Sequence, residues 1–254
     1  MKVRFVGLVT LCCALGLIAC FSFPDRGQSQ TTKNSSNSAL SQDERDLLNE
    51  INQVRANPQA YVTYLENLKP FFKGKEYKTA TLAVTTEEGW SAVEDAIKFL
   101  KTAKAIGPLA PSAGLCKAAL SHVKDQSGTG ATGHKGIDSS LIEQRVKPFG
   151  NWQGGIGENL TYGNESARER ILTWLIDDGF ASRGHRLRIM SPEYKVAGVC
   201  CGPHPEFKSM CVLTLAGGFV DLQPAKATAS PQPKSGTPAN KSKPAKKTAH
   251  TRRA

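Results

Sequence analysis

Apolar positions recur at helical spacing in several stretches of this chain, separated by breaks rich in Pro and Gly. Leu47, Leu48, Ile51 and Val54 mark one helical face, and Ser41-Gln42-Asp43-Glu44 just before them is a capping box. Asn57-Pro58 interrupts the pattern. Tyr61, Val62 and Leu65 then predict a second helix opened by that proline. Lys69 to Thr85 shows no periodicity and reads as irregular. A third helix carries Trp90, Val93, Ile97 and Leu100 on one side. Pro108 to Pro111 breaks the chain, and Ser112 caps a helix that turns Leu115, Ala118, Ala119, His122 and Val123 inward and stops near Gly128 and Gly130. A short helix is predicted over Ser139 to Val146, and a Gly- and aromatic-rich loop from Phe149 to Gly157. Ser166 starts a helix with Ile171, Trp174 and Leu175 apolar, ended by Gly179. Tyr194 to Cys201 and Met210 to Leu215 read as strands of an antiparallel hairpin.

Both ends depart from this pattern. Lys2 and Arg4 precede an apolar run, Phe5 to Ala19, too short to span a bilayer comfortably, so residues 1–20 read as an export signal. It ends Leu17-Ile18-Ala19-Cys20, which resembles a lipobox; lipidation at Cys20 would give membrane association, and ordinary secretion is the alternative. Residues 21–40 are polar and low in apolar groups, a flexible linker. From Pro224 onward there are eight Lys and Arg and no acid, with Pro and Ala between them, so residues 222–254 read as a disordered basic tail. That tail and the leader account for nearly all of the formal +11. The domain between, residues 41–221, is close to neutral, which argues against nucleic acid as its partner; the tail is a candidate for an anionic envelope polymer. Export would place Cys116, Cys200, Cys201 and Cys211 in an oxidising compartment. Cys200 or Cys201 could face Cys211 across the hairpin, Cys116 could reach the sheet, and unpaired thiols remain an alternative.

The chemistry concentrates in three short segments. His134 lies in Gly133-His134-Lys135-Gly136, Glu158 in Gly157-Glu158-Asn159-Leu160, and His185 in Gly184-His185-Arg186, seven residues after Asp177-Asp178. Imidazoles and carboxylates bind metals and move protons near neutral pH, and adjacent glycines let the backbone turn sharply. His122, on an apolar helix face, reads as a hydrogen-bonded core residue, and His204, between prolines, as a surface one. Trp90 and Trp174 have core spacing, whereas Trp152 is a candidate to line a cleft. Neither His-Glu-x-x-His nor Gly-x-Ser-x-Gly occurs.

Asn52-Gln53-Val54-Arg55, the Ala-rich segment from Leu115 to Asp125, Gly133-His134, Gly157-Glu158-Asn159-Leu160, Trp174, Gly184-His185-Arg186 and Gly198-Val199, in that order, resemble the CAP superfamily of cysteine-rich secretory, antigen 5 and pathogenesis-related 1 proteins. The resemblance covers roughly Ser41 to Val220. It is weakest over Glu66 to Gly107, which reads as an insertion, about 66–107. It implies an α+β fold, a three-layer α–β–α sandwich with a small antiparallel sheet, and a cleft containing two His and two acids. His134, His185 and Glu158 match three of these. For the second acid, register with the family favours Asp177, where Glu is usual three residues after the helix Trp. Helical facing with Ile171 and Trp174 favours Asp178. Glu158, Asp177 and Asp178 are therefore the cleft acids and the candidates for any catalytic role. The resemblance implies reversible Zn²⁺ at the imidazoles, with Zn–N of about 2.0–2.1 Å. Three functions follow: an exported protein whose cleft binds zinc and a small apolar or peptide ligand, a zinc-dependent peptidase-like hydrolase, or an envelope-tethered interaction protein.

Overall fold

The structure is a computed structural model that describes residues 40–80 and 82–222. The predicted leader with Cys20, the linker and the basic tail lie outside the described residues, apart from Leu40 and Leu222. Seven α-helices are described, α1 (Gln42–Ala56), α2 (Ala60–Glu66), α3 (Trp90–Thr102), α4 (Ala113–Thr129), α5 (Ile142–Val146), α6 (Ala167–Ile176) and α7 (Gly184–Ile189), with one 3-10 turn at Lys69–Phe71. The strands are β1 (Phe72–Lys73), β2 (Glu76–Lys78), β3 (Ala83–Thr85), β4 (Ala110–Pro111), β5 (Gly150–Tyr162), β6 (Val196–His204) and β7 (Lys208–Asp221).

Helix starts follow local capping chemistry. Ser41 and Ser166 each accept from the amide three residues on, and Glu44 and Glu169 return the bond, so both boxes are complete. Ser112 caps α4, and Gly130 in the left-handed region ends it.

The main sheet has the order β4-β6-β7-β5. β5, β6 and β7 are antiparallel, and β4 joins in parallel, so the sheet is mixed rather than purely antiparallel. The two-residue alternation of β7 builds the layers. Cys211, Leu213 and Leu215 face a large core shared with α1, α2, α3 and α6. Met210, Val212 and Ala216 face α4 through Ala118, Ala119 and Val123. Helices thus cover both faces, giving the α–β–α sandwich of an α+β domain. Gly198 is required by this packing: a Cβ there would lie 2.0 Å from the Leu115 carbonyl carbon.

Arg55 is buried in the large core and donates to the carbonyls of Gly107, Ile189, Ser191 and Tyr194 at 2.7–3.0 Å. Burial lowers its pKa to about 10, so it stays charged at neutral pH. Asn52 makes a two-way bond with the Leu109 backbone. These two residues of the Asn52–Arg55 motif tie α1 to segments more than fifty residues away.

The edge of β6 beyond β4 is sealed group by group. The Val199 amide faces the Cys116 thiol, the Cys201 amide donates to Glu44 at 3.0 Å, and Pro203 has no amide hydrogen. An edge treated this way offers no ladder to another strand.

Several expectations need correction. Lys69 to Thr85 is not irregular; it forms β1, β2 and β3, a small antiparallel sheet. The Phe149–Gly157 segment is not a loop but most of β5, whose ladder shifts register between Gln153 and Ile156, at Gly154 and Gly155. The helix from Ser166 stops at Ile176, before Gly179. α7 had no signal in the apolar pattern. His204 is buried, with Nε2 3.0 Å from the Ala131 carbonyl and its ring against Tyr162 and Phe207. Trp152 packs against the Leu115, Ala118, Val146 and Ala216 cluster. Cys201 is bonded to Cys211, directly across the β6–β7 ladder, while Cys116 and Cys200 are free thiols.

Candidate functional site

β5 is the outer strand of the sheet, and two adjacent residues on it face opposite layers. Glu158 turns toward α4 and α5, and Asn159 toward α6 and α7. Gly157 precedes them because a Cβ there would come within 2.8 Å of the Tyr194 hydroxyl.

Arg145 on α5 grips the Glu158 carboxylate through Nη2, at 2.8 Å to each oxygen. Its Nη1 donates to the His134 carbonyl at 3.0 Å and the Ser140 carbonyl at 2.8 Å. His134 Nδ1 lies 2.9 Å from Glu158 Oε1. Burial alone would raise the Glu158 pKa; the His134 hydrogen bond and the Arg145 charge outweigh it and hold the carboxyl below its ordinary range. The carboxylate can only accept, so Nδ1–H is the donor, and in the neutral ring Nε2 carries the lone pair.

The second half is built by Asp177, where α6 ends. Asp177 takes the left-handed conformation, φ 54°, and its carboxylate is buried. Oδ1 lies 2.6 Å from His185 Nδ1, and Oδ2 accepts from the His185 amide at 2.8 Å. His185 is therefore oriented as His134 is, with Nε2 outward. Asn159 donates to the His185 carbonyl at 3.1 Å, and the Phe180 ring stands edge-on to the imidazole.

Asp178 turns elsewhere. Its oxygens accept from the Glu87 and Glu88 amides at 2.7 and 2.8 Å, just before α3. Asp178 therefore does not join the cleft as helical facing predicts: α6 has already ended, and the left-handed turn at Asp177 breaks the 3.6-residue register.

The two imidazoles meet across the β5 edge with ring centroids 6.5 Å apart and planes 22° from parallel. Two rings sharing a tetrahedral zinc would have centroids about 5 Å apart, given Zn–N of about 2.0–2.1 Å. Closure of about 1.5 Å separates the observed pair from that geometry. His134 lies on a glycine-flanked loop and its side chain is 47% exposed, against 16% for His185, so it is the more accessible of the two rings. The donor set fits a two-imidazole site, each ring held by its own carboxylate. Among the described residues no cluster of three or more His, Cys, Asp or Glu is arranged to hold a metal.

The apolar pattern alone gave no sign of Arg145. Its signal was faint: an Arg on a short amphipathic turn eleven residues after a histidine.

The sequence profile of the Cysteine-rich secretory protein family, CAP, matches residues 48–215. No curated protein matches significantly. Solved structures with some likeness include an extracellular protein containing an SCP domain from Bacillus anthracis, at 17% identity and TM-score 0.37, over 49% of this chain and 38% of that one. An outer surface protein from Borrelia burgdorferi follows at 16% and 0.37, over 50% and 88%. A cysteine-rich secretory protein from Staphylococcus aureus follows at 15% and 0.33, over 61% and 48%. The chain covers less than half the length of the first and third of these. The profile spans well over half of the sequence, including every residue of the paired His–carboxylate arrangement, and the chain belongs to the CAP family.

Proposed function

We propose that this is an exported CAP-domain binding protein whose cleft takes a divalent metal, zinc, reversibly at His134 and His185. The observation that carries the reading is the matched orientation of the two rings: each Nδ1 is spent on a buried carboxylate, Glu158 or Asp177, and each Nε2 is left for a ligand. Bound zinc would supply a Lewis acid with coordination positions open to a ligand. Glu158 and Asp177 then hold tautomer and ring direction rather than ligating the ion, and Arg145 keeps Glu158 ionised.

Exposed apolar side chains occur on the segments that carry the two imidazoles. Ile137 and Leu141 follow His134, Phe180 abuts His185, and Leu187 lies on α7. This supports a small apolar or peptide ligand beside the metal. Two protein ligands favour reversible binding over the three-ligand site of a zinc hydrolase. The peptidase-like reading and the envelope tether, through lipid at Cys20 and the basic tail, are the alternatives.

Calorimetry with zinc on the wild type and on the double variant His134→Ala/His185→Ala tests the proposal. Wild-type uptake of one ion, lost in the variant, is the expected result. Equal uptake by both would remove the metal assignment. Hydrolysis of casein or esters by the wild type, abolished by chelator and by His185→Ala, would favour the hydrolase.

A further inference from the structure

Behind Glu158, on the α4 face of the sheet, a polar layer separates two apolar clusters. One contains Ala119, Val123, Cys200, Met210 and Val212; the other contains Leu115, Ala118, Val146 and Ala216. Thr214 lies between Val212 and Ala216 on the same face of β7, and Glu158 is its partner across the ladder. His122 enters one helical turn after Ala118 on α4, and Arg145 precedes Val146 on α5. All four polar residues are buried.

Three atoms in this layer have no hydrogen-bond partner: His122 Nδ1, Arg145 Nε and Thr214 Oγ1. Among the described residues they are the buried side-chain polar atoms of that kind. They converge on one neighbourhood. Arg145 grips Glu158, Thr214 is the cross-strand partner of Glu158, and the charges of both Glu158 and Arg145 act on the His122 ring. An unsatisfied buried polar atom is costly, so three together need a common explanation.

Their chemistry is complementary. His122 Nε2 lies 3.0 Å from the Gly133 carbonyl, which only accepts, and 3.1 Å from the Gln126 amide nitrogen, which only donates, so Nδ1 faces the layer as an acceptor in one tautomer and as a donor in the other, and a water can meet both. Arg145 Nε–H only donates, and the Thr214 hydroxyl does either. The Arg145 guanidinium disfavours a cation at the centre of the three, and the Glu158 carboxylate disfavours an anion. A small neutral molecule with two donors and two acceptors fits, and three polar partners are what a buried water typically has.

We propose that one internal water is held by Arg145 Nε–H, His122 Nδ1 and the Thr214 hydroxyl, and that His122 is thereby a positioning residue for the cleft. One side of its ring is tied to the Arg145–Glu158 pair through the water. The other side, with Gln126 at 2.6 Å, holds the Gly133 carbonyl directly before His134. This assignment is independent of any metal.

The experiment is nitrogen NMR of the full chain carrying ¹⁵N-labelled histidine, with Thr214→Val as a near-isosteric variant lacking the hydroxyl and Thr214→Ser restoring it. The wild type is expected to show the His122 Nδ1 resonance displaced from the position of an unbonded ring nitrogen by its hydrogen bond to the water. Thr214→Val should shift Nδ1 toward the unbonded position and move the Gly133 and His134 amide signals, and Thr214→Ser should reverse both. A high-resolution crystal structure should show a water in contact with all three atoms. A Thr214→Val spectrum unchanged at His122, or direct contact among the three side chains without water, would overturn the proposal. Should Thr214→Val fail to accumulate, Thr214→Ala with the same readout decides it.

Discussion

Asp177 combines two demands in one side chain. Its backbone must turn left-handed to end α6, a conformation that Asp tolerates better than most residues, and its carboxylate must meet both the ring and the amide of His185. Asp177→Asn keeps the turn and one acceptor but replaces the other carboxylate oxygen with an amide. We expect stability to change by about 1 kcal/mol, because cap and shape survive, while zinc affinity falls about 10–100-fold, the usual effect of losing a ligand's orienting partner. Paired denaturation and calorimetry would check this; an unchanged affinity would show that the Asp177 bond does not set the His185 direction. The sequence alone left Asp177 and Asp178 open for a physical reason. Facing arguments hold only inside a helix, and nothing in the apolar pattern marked Ile176 as the last helical residue. His134, Glu158 and His185 were more legible through the ordered family motifs; of the glycines beside them only Gly133 makes a turn with positive φ, whereas Gly157 lies within β5 and Gly184 opens α7. Arg55 is the counterpart in the core. Arg55→Leu leaves four carbonyls without their donor and is expected to destabilise by about 3 kcal/mol or more, measured by urea denaturation.

At the level of elements, the segment that looks most like an addition braces the site. Glu88, just before α3, accepts a two-pronged bond from Arg183 at 2.6 and 2.7 Å and the Gly179 amide at 2.8 Å. Asp95 on α3 accepts from Arg183 and Arg186, and Asp178 accepts from the Glu87 and Glu88 amides. The loop between Asp177 and His185 is thereby fixed from outside. Hydrogen bonds from Arg183 bring the Glu88 pKa from its ordinary 4.5 to about 2. A carboxyl lowered on folding stabilises fully above its unfolded pKa, and that contribution disappears as pH falls from about 4.5 toward 2. Wild type should therefore exceed Glu88→Gln in melting temperature at neutral pH, with the gap closing across that interval. A gap constant with pH would assign the effect to packing. This brace was not readable because its partners are about ninety residues apart and charged, so no periodicity reports them. β5 was missed for a related reason: Gly150, Gly154, Gly155 and Gly157 depress strand propensity, and tertiary pairing with β7 overrides it. Both hairpin strands were legible from their β-branched and alternating residues, as were the capped helices α1, α4 and α6.

Across the molecule, the Cys201–Cys211 bond closes a short loop at the far end of the hairpin. For such a loop the expected stabilisation is about 2–3 kcal/mol. In a domain of this size that corresponds to a melting temperature about 5–10 °C lower on reduction or in Cys201→Ala/Cys211→Ala. The bond lies on the β6–β7 side of the sheet and the imidazoles lie across β5, so zinc uptake should survive its loss; calorimetry on the reduced protein decides this.

The His pair is assembled from two half-sites, each complete in itself and each delivered from a different side of the sheet. Evolution can therefore discard one without collapsing the other: a change at position 134 leaves the Asp177–His185 half intact, and a change at 185 leaves the Arg145–Glu158 clasp.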